Sequence, residues 1–276
     1  MPGKLYICAT PIGNLSDITL RALETLKSVD IIAAEDTRHT VKLLNHFDIK
    51  KPLIAFHKFN EKKEVEYLIK ELLSGKNIAL VSDAGTPLIS DPGDFLIRDC
   101  IKNNIEIISV PGACAAICAL TTSGLISKRF YFYGFLSAKK SEKLNELKSV
   151  ADFNETLVFY EAPHKIRVTL ELMLDTFGNR NITIHREMTK KFEETLRMTL
   201  KEAVSYYNET ESKGEYVIIV EGCPESEENE YADMSIKEHV DYLIKSGLDK
   251  KEAIKKCAEE RNVPKREIYN VYNREE

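Results

Sequence analysis

Residues 77–93 read NIALVSDAGTPLISDPG, and this stretch decides how the chain folds. Ile78 to Ser82 is an uncharged, mostly apolar run, the pattern of a strand covered on both faces. It empties directly into Asp83, Gly85, Pro87, Asp91, Pro92 and Gly93, residue types that turn a chain. Open α/β sheets bind ligands just beyond the carboxyl ends of their strands, so this loop is the first candidate binding element. Gly85 permits close backbone approach to a ligand, and Asp83 offers a carboxylate to a hydroxyl or ammonium group. The plainer reading is a tight turn followed by a helix capped by Asp91 or Asp94.

Outward from this loop, further strands are expected at Leu5–Ala9, Val29–Ala34, Leu53–Phe56 and Ile105–Val110. Between them, Ile18, Ala22, Leu23 and Leu26 form one apolar face at helical spacing, and Val65, Leu68, Ile69 and Leu72 form another. Alternating strands and helices imply an α/β domain with a largely parallel sheet over residues 1–123. FYFYGF, ETLVFYEA, NITIHREM and GEYVIIVEG begin a second cycle, with helices near 139–150, 164–176 and 201–208. There HREM is followed directly by ETLRMTL, which predicts antiparallel pairing in a second α/β domain over 124–222. PESEENEYAD carries five acidic residues and no basic one, so 223–233 reads as a solvated linker. Residues 234–276 form a helical tail of two or three helices. Ser235 and Glu238 make a capping box, Gly247 a stop, and Asp249 the next cap.

The chain has 276 residues and a formal net charge of −5, with 39 Lys+Arg against 44 Asp+Glu. That excludes a chain basic throughout, but phosphate binding requires only a local cluster. Cys8, Cys100, Cys114, Cys118, Cys223 and Cys257 include no C-x-x-C pair, which predicts reduced thiols and a cytoplasmic protein. The opening MPGKLYICATPIGN lacks the pattern of a secretory or transit segment. Ile107–Ser127 is uncharged over 21 residues but contains Pro111, Gly112 and Gly124, so a strand, turn and helix is expected rather than a membrane span. No G-x-G-x-x-G, P-loop, G-x-S-x-G or H-E-x-x-H motif occurs, and no metal site is predicted.

Other segments carry possible chemistry. VPGACAAICAL repeats the strand-turn-helix pattern at Pro111 and Gly112, with Cys114 and Cys118 read as packed thiols. ATPIGN lies between a strand and a helix, and AAEDTRHT places Glu35, Asp36 and Arg38 straight after the next strand. These could hold a polar substrate or abstract a proton, or merely cap a helix starting near Thr37 and pair on the surface. FYEAPHKI follows a strand, and IHREMTKKFEETLR spans a strand end and turn. Residues 128–148 hold six basic residues against two acidic ones, a local +4. Interleaved with Phe130, Tyr131, Phe132, Tyr133 and Phe135, they form the candidate RNA surface: Arg129, Lys139, Lys140 and Lys143. At least half of those aromatics are expected in the core.

LYICATPIGNLSDITLRALETLKSVDIIAAEDTR, FHKFNE, VSDAGTPLISDPG, VPGACAAICAL, FYEAPHKI, REMTKKFEE and GEYVIIVEG together closely resemble the ribosomal RNA small-subunit methyltransferase I family. That family lies within the tetrapyrrole methylase superfamily, the class III S-adenosylmethionine methyltransferases. The resemblance covers residues 4–222 in order. It implies two α/β domains with S-adenosyl-L-methionine in the cleft between them, a homodimer, and 2′-O-methylation of a cytidine ribose in the decoding region of 16S rRNA. It matches Asp83, Ala84, Gly85, Thr86 and Pro87 to the cofactor loop and Ala113 and Cys114 to the adjoining helix opening. Tyr160, Ala162, Glu215 and Val217 become second-domain contacts. Glu35 or Asp36 is the expected proton acceptor, with Glu187 a rival, while Arg38 and Lys190 position RNA phosphates. Two alternatives stay open: a small-molecule methylase of tetrapyrrole type, and a noncatalytic RNA-binding or ribosome-assembly protein.

Overall fold

A computed structural model describes residues 1–58, 60–224, 234–261 and 263–274. Residues 1–222 form one compact unit and the tail from Cys223 a second. In the first half, β1 (Leu5–Cys8), β2 (Ile31–Ala34), β3 (Leu53–Ala55), β4 (Ile78–Val81) and β5 (Ile107–Val110) alternate with α1 (Leu20–Ser28), α2 (Thr37–His46), α3 (Glu61–Leu73), α4 (Asp94–Lys102) and α5 (Ala115–Ser123). The strands pair in the order β3-β2-β4-β1-β5, all parallel. Alternate residues explain their continuous hydrophobicity. Leu5, Ile31, Ile78 and Leu80 pack on one face with Leu68 and Leu72 of α3 and Leu96 of α4. Cys8, Ile32, Ala79 and Val81 pack on the other with Ala22 and Leu26 of α1 and Leu44 of α2. Every expected strand in this half is present, one or two residues shorter at its ends.

The second half contains β6 (Phe130–Phe135), α6 (Lys140–Ser149), β7 (Thr156–Glu161), α7 (Ile166–Phe177), β8 (Asn181–Arg186), β9 (Glu194–Thr199), α8 (Leu200–Glu209) and β10 (Tyr216–Val220). Its sheet runs β6-β7-β10-β8-β9, parallel only between β6 and β7, and β8 and β9 pair antiparallel as their sequence predicts. The apolar helix α5, which the sequence places with the first half, packs instead on the second sheet: Ala116, Ala119 and Leu120 meet Val158, Val217 and Ile219. The uncharged run 107–127 thus becomes β5, a turn and α5. Among the described residues no helix is long and apolar enough to cross a membrane.

In the tail, α9 (Ile236–Lys245), α10 (Lys250–Glu260) and α11 (Lys265–Arg274) close over Val240, Leu243, Ile254, Cys257 and Ile268. Ser235–Glu238 and Asp249–Glu252 both form capping boxes, satisfying backbone donors at the helix starts. Of the acidic linker, residues 225–233 lie outside the described residues.

Three expectations are corrected. The cap of α4 is Gly93, at φ +139°, whose N–H donates to Glu61 Oε1 at 3.0 Å; neither Asp91 nor Asp94 caps it. None of the five β6 aromatics is fully buried, because β6 is a sheet edge and a register shift between Phe132 and Gly134 breaks its alternation. Lys143 is no RNA contact: 2% exposed, its Nζ donates to Glu161 Oε2 at 2.8 Å and to the Thr169 hydroxyl at 2.5 Å. Helical periodicity turned this one lysine of the basic run inward. Lys143→Met strands the Glu161 carboxylate in the interior and should cost about 3–5 kcal/mol in urea unfolding, whereas exposed Lys140→Met should stay within about 0.5 kcal/mol.

Candidate active site

Parallel pairing brings the carboxyl ends of β1, β2, β4 and β5 to one edge, where their loops interlock. Thr10 and Gly85 exchange backbone hydrogen bonds at 2.8 and 3.1 Å, tying the loop after β1 to that after β4. The Asp36 N–H donates to Asp83 Oδ1 at 2.9 Å, adding the loop after β2. The Thr86 hydroxyl donates to the Ala113 carbonyl at 3.2 Å, adding the loop after β5. Gly85 sits at φ +81°, and a β-carbon there would lie 3.2 Å from Ile12 Cγ2, so conformation and crowding both call for glycine.

These loops face the end of β7, the turn after β8 and the start of β10 across a cavity of 510 Å³. Tyr160 joins the sides by accepting a hydrogen bond from the Ala116 N–H at 3.1 Å, at the opening of α5. Four non-glycine residues with positive φ lie in the two segments that contribute to the cavity walls: Leu88 and Ser90 in the β4 loop, Glu187 and Thr189 in the β8 turn. Such backbone persists only where the surroundings impose it, and it gathers at ligand sites.

Of the sequence-predicted residues, the cavity brings together Glu35, Asp83, Ala84, Gly85, Thr86, Cys114, Tyr160, Ala162, Lys190, Glu215 and Val217. Pro87 is buried behind its wall, and Ala113 contributes through its backbone bond to Thr86. Asp36 and Arg38 do not line it. The Asp36 carboxylate caps α2 and takes the Arg38 guanidinium at 2.6 to 3.1 Å, which holds it well below the usual carboxylate range. Lys190 does line the cavity, but not as a free cation for phosphate. It pairs with Glu187 at 2.9 Å and Glu215 at 2.8 Å. Burial pushes the Glu187 carboxyl up, yet the Lys190 ammonium and the Glu215 N–H outweigh it and hold the group low. Glu187 therefore braces its strained turn and is a poor proton acceptor.

The cavity floor is acidic. Burial, then the Asp83 charge, raises the Glu35 carboxyl above its ordinary value. Asp91 is pushed up to about 6, by burial first and the Glu35 charge second. The sequence placed Asp91 in the candidate binding loop, with a helix cap as the plainer reading; its raised affinity for protons comes from burial and from the Glu35 carboxylate, which follows a different strand. His185 was missed. It lines the cavity while only 1% exposed, with Nδ1 3.0 Å from the Thr195 hydroxyl across the β8–β9 pair, and strand periodicity alone gave no sign of it. Asp36, His39 and Asp83 bring oxygen and nitrogen atoms within 4.8 Å of one another. Asp36 is engaged by Arg38, so this corner reads as a hydrogen-bonded brace.

Two interlocked α/β halves leave a cleft beyond the strand ends. The family model for Tetrapyrrole (Corrin/Porphyrin) Methylases matches residues 4–204. Among solved structures of similar fold are a uroporphyrin-III C-methyl transferase from Thermus thermophilus complexed with S-adenyl homocysteine and a diphthine synthase. The first is 17% identical, covers 79% of this chain and 97% of that one, and has a TM-score of 0.57. The second is 14% identical, covers 80% and 90%, and has a TM-score of 0.61. Sequence similarity is closer to two proteins named Ribosomal RNA small subunit methyltransferase I. That of Halalkalibacterium halodurans is 50% identical over 276 residues, covering 99% of this chain and 96% of the relative. That of Bacillus subtilis is 47% identical over 275 residues, covering 98% and 94%. The chain belongs to the ribosomal RNA small subunit methyltransferase I family, a branch of the tetrapyrrole methylases.

Asp91 also makes stability depend on pH. A carboxyl raised in the folded state favours folding in its neutral form. That contribution is fully present below about pH 4 and is lost as pH rises through about 6. Asp91→Asn removes the dependence. The unfolding free energy of the variant relative to wild type should therefore grow by roughly 1–2 kcal/mol between about pH 4 and pH 7.5, a figure discounted for solvent screening of a half-buried group. A constant difference across that range would contradict the assignment.

Proposed function

We propose that this protein transfers a methyl group from S-adenosyl-L-methionine to the 2′-hydroxyl of a cytidine in the decoding region of 16S rRNA, acting in the cytoplasm as a homodimer on the small ribosomal subunit. The observation that carries the reading is the near full-length similarity to proteins named for small-subunit rRNA methylation. The cavity suits the donor. Asp83 and Asp91 offer carboxylates to its cationic groups, Gly85 and Ala84 offer close backbone approach, and Ile12, Met188 and Val217 offer apolar wall. When bound, the donor supplies a methyl group activated by a sulfonium centre.

The protein's part is alignment and proton removal. A ribose hydroxyl is a weak nucleophile at neutral pH, so a carboxylate that accepts its proton helps. We assign that role to Glu35, which lines the cavity with a raised affinity for protons, in preference to Asp36, which Arg38 occupies. Exposed Arg129, Lys139 and Lys140 stay as candidate RNA contacts.

The test is incubation with labelled S-adenosylmethionine and unmethylated 30S subunits, followed by mapping of ribose methylation. Label at one cytidine 2′-oxygen is expected. Cofactor binding without RNA labelling would favour a small-molecule methylase, and RNA binding without cofactor a noncatalytic protein. Glu35→Gln should slow single-turnover methylation by about 10²-fold or more with cofactor affinity retained, and Asp36→Asn should slow it less. The wild-type rate should rise with pH as Glu35 loses its proton, and the Glu35→Gln residual rate should lack that limb. RNA affinity should fall with added salt while cofactor affinity changes little.

A further inference from the structure

Two segments singled out by the sequence, ATPIGN and DTRHT, are only partly used by the cleft. Their remaining residues meet elsewhere. A second hollow, of 410 Å³, opens between the loop after β1 and helix α2, with Pro11 and Gly13 on one side and His39, Lys42 and Leu43 on the other. Its floor includes Asp83, which also lines the main cavity. The loop divides the two spaces, with Ile12 toward the cleft and its neighbours Pro11 and Gly13 toward the hollow. Gly13 is held against the β8 turn so closely that a β-carbon would collide with the Lys190 side chain and lie 2.9 Å from the Thr189 hydroxyl.

The polar groups of the hollow fall into two sets. The Thr10 and Thr40 hydroxyls donate to the Ser82 and Asp36 carbonyls, both at 3.3 Å, so the walls are set by internal bonds. His39 and Lys42 project to solvent. His39 Nδ1 is 3.7 Å from Asp83 Oδ2 with a side chain 59% exposed, and among the described residues no carboxylate pairs with Lys42. Arg38 and Lys190, expected to position RNA phosphates, are by contrast both engaged by carboxylates. A site of this size admits one small ligand and no duplex. An available ammonium, an imidazole and a floor shared with the methyl-donor cleft suit one unstacked ribonucleotide of a single strand.

We propose that this hollow receives the target nucleotide, with Lys42 on its phosphate, His39 beside its base, and its ribose at Asp83, on the border with the cleft. The proposal rests on the RNA-methyltransferase reading above but can be tested apart from it. Lys42→Ala should raise KM for 30S subunits by about tenfold and lower the logarithmic salt slope of binding to a short single-stranded RNA by about 0.7. His39→Ala should weaken the same RNA, and both variants should bind S-adenosylhomocysteine as wild type does, showing that the fold and cleft are intact. Lys201→Ala, a surface cation at the start of α8 outside both the hollow and the basic run 128–148, should change none of these.

A photo-crosslinking RNA of the target sequence supplies the independent arm. Adducts on residues 11–15 and 39–43 are expected, lost when Lys42 is replaced by Glu. If those adducts form but no methyl group is transferred, the hollow stands and the methylation reading fails. If wild type methylates RNA while Lys42→Ala leaves KM and salt slope unchanged and adducts fall elsewhere, the hollow is overturned. Absence of both methylation and adducts overturns both.

Discussion

The pair of backbone hydrogen bonds between Thr10 and Gly85 is the constraint on which the site depends. It joins loops leaving neighbouring strands β1 and β4 and requires the left-handed backbone that Gly85 supplies. With those loops fixed, Asp83 can accept the Asp36 N–H and Thr86 can reach the Ala113 carbonyl. Four loop ends become one rigid rim. A ligand meeting that rim binds without ordering it first, which is how preorganisation favours affinity and alignment.

The opposite side of the cleft is held by a different device. Lys143, Glu161 and Thr169 form a buried hydrogen-bonded cluster beneath the end of β7, and the Glu161 carboxylate also accepts the Ala162 N–H at 2.9 Å. Buried ion pairs contribute little net stability compared with apolar packing, but they tolerate few geometries. Here the cluster fixes the residues that carry Tyr160 to the start of α5. Because α5 packs on the second sheet while its preceding loop belongs to the first-half rim, the two sides of the cleft share a helix as a common wall.

Much of the fold was legible because it depends on local periodicity. Strands β1 to β5 lie within continuous apolar runs whose alternate residues pack on opposite faces, and the tail caps at Ser235 and Asp249 are four-residue patterns. The β6 aromatics misled because alternation predicts burial only when both faces and both edges of a strand are covered. Lys143 misled because charge counts along a helix ignore which face a residue occupies. Residues 83 to 86, Tyr160 and Val217 were placed through motif resemblance and line the cavity, whereas no local pattern put His185 there.

The sequence by itself determined the strand and helix content, the turn-rich loop after β4 and the family, since each is written in short contiguous patterns. Only the tertiary structure decided which charges are free to act. Asp36 and Lys190 stand in the right motifs but are engaged by Arg38 and by Glu187 with Glu215, while Glu35 and Asp91, which follow separate strands, are both raised by burial, Glu35 further by Asp83 and Asp91 further by Glu35. The physical reason is that protonation and ion pairing depend on distance and desolvation in space, and residues far apart in the chain supply both.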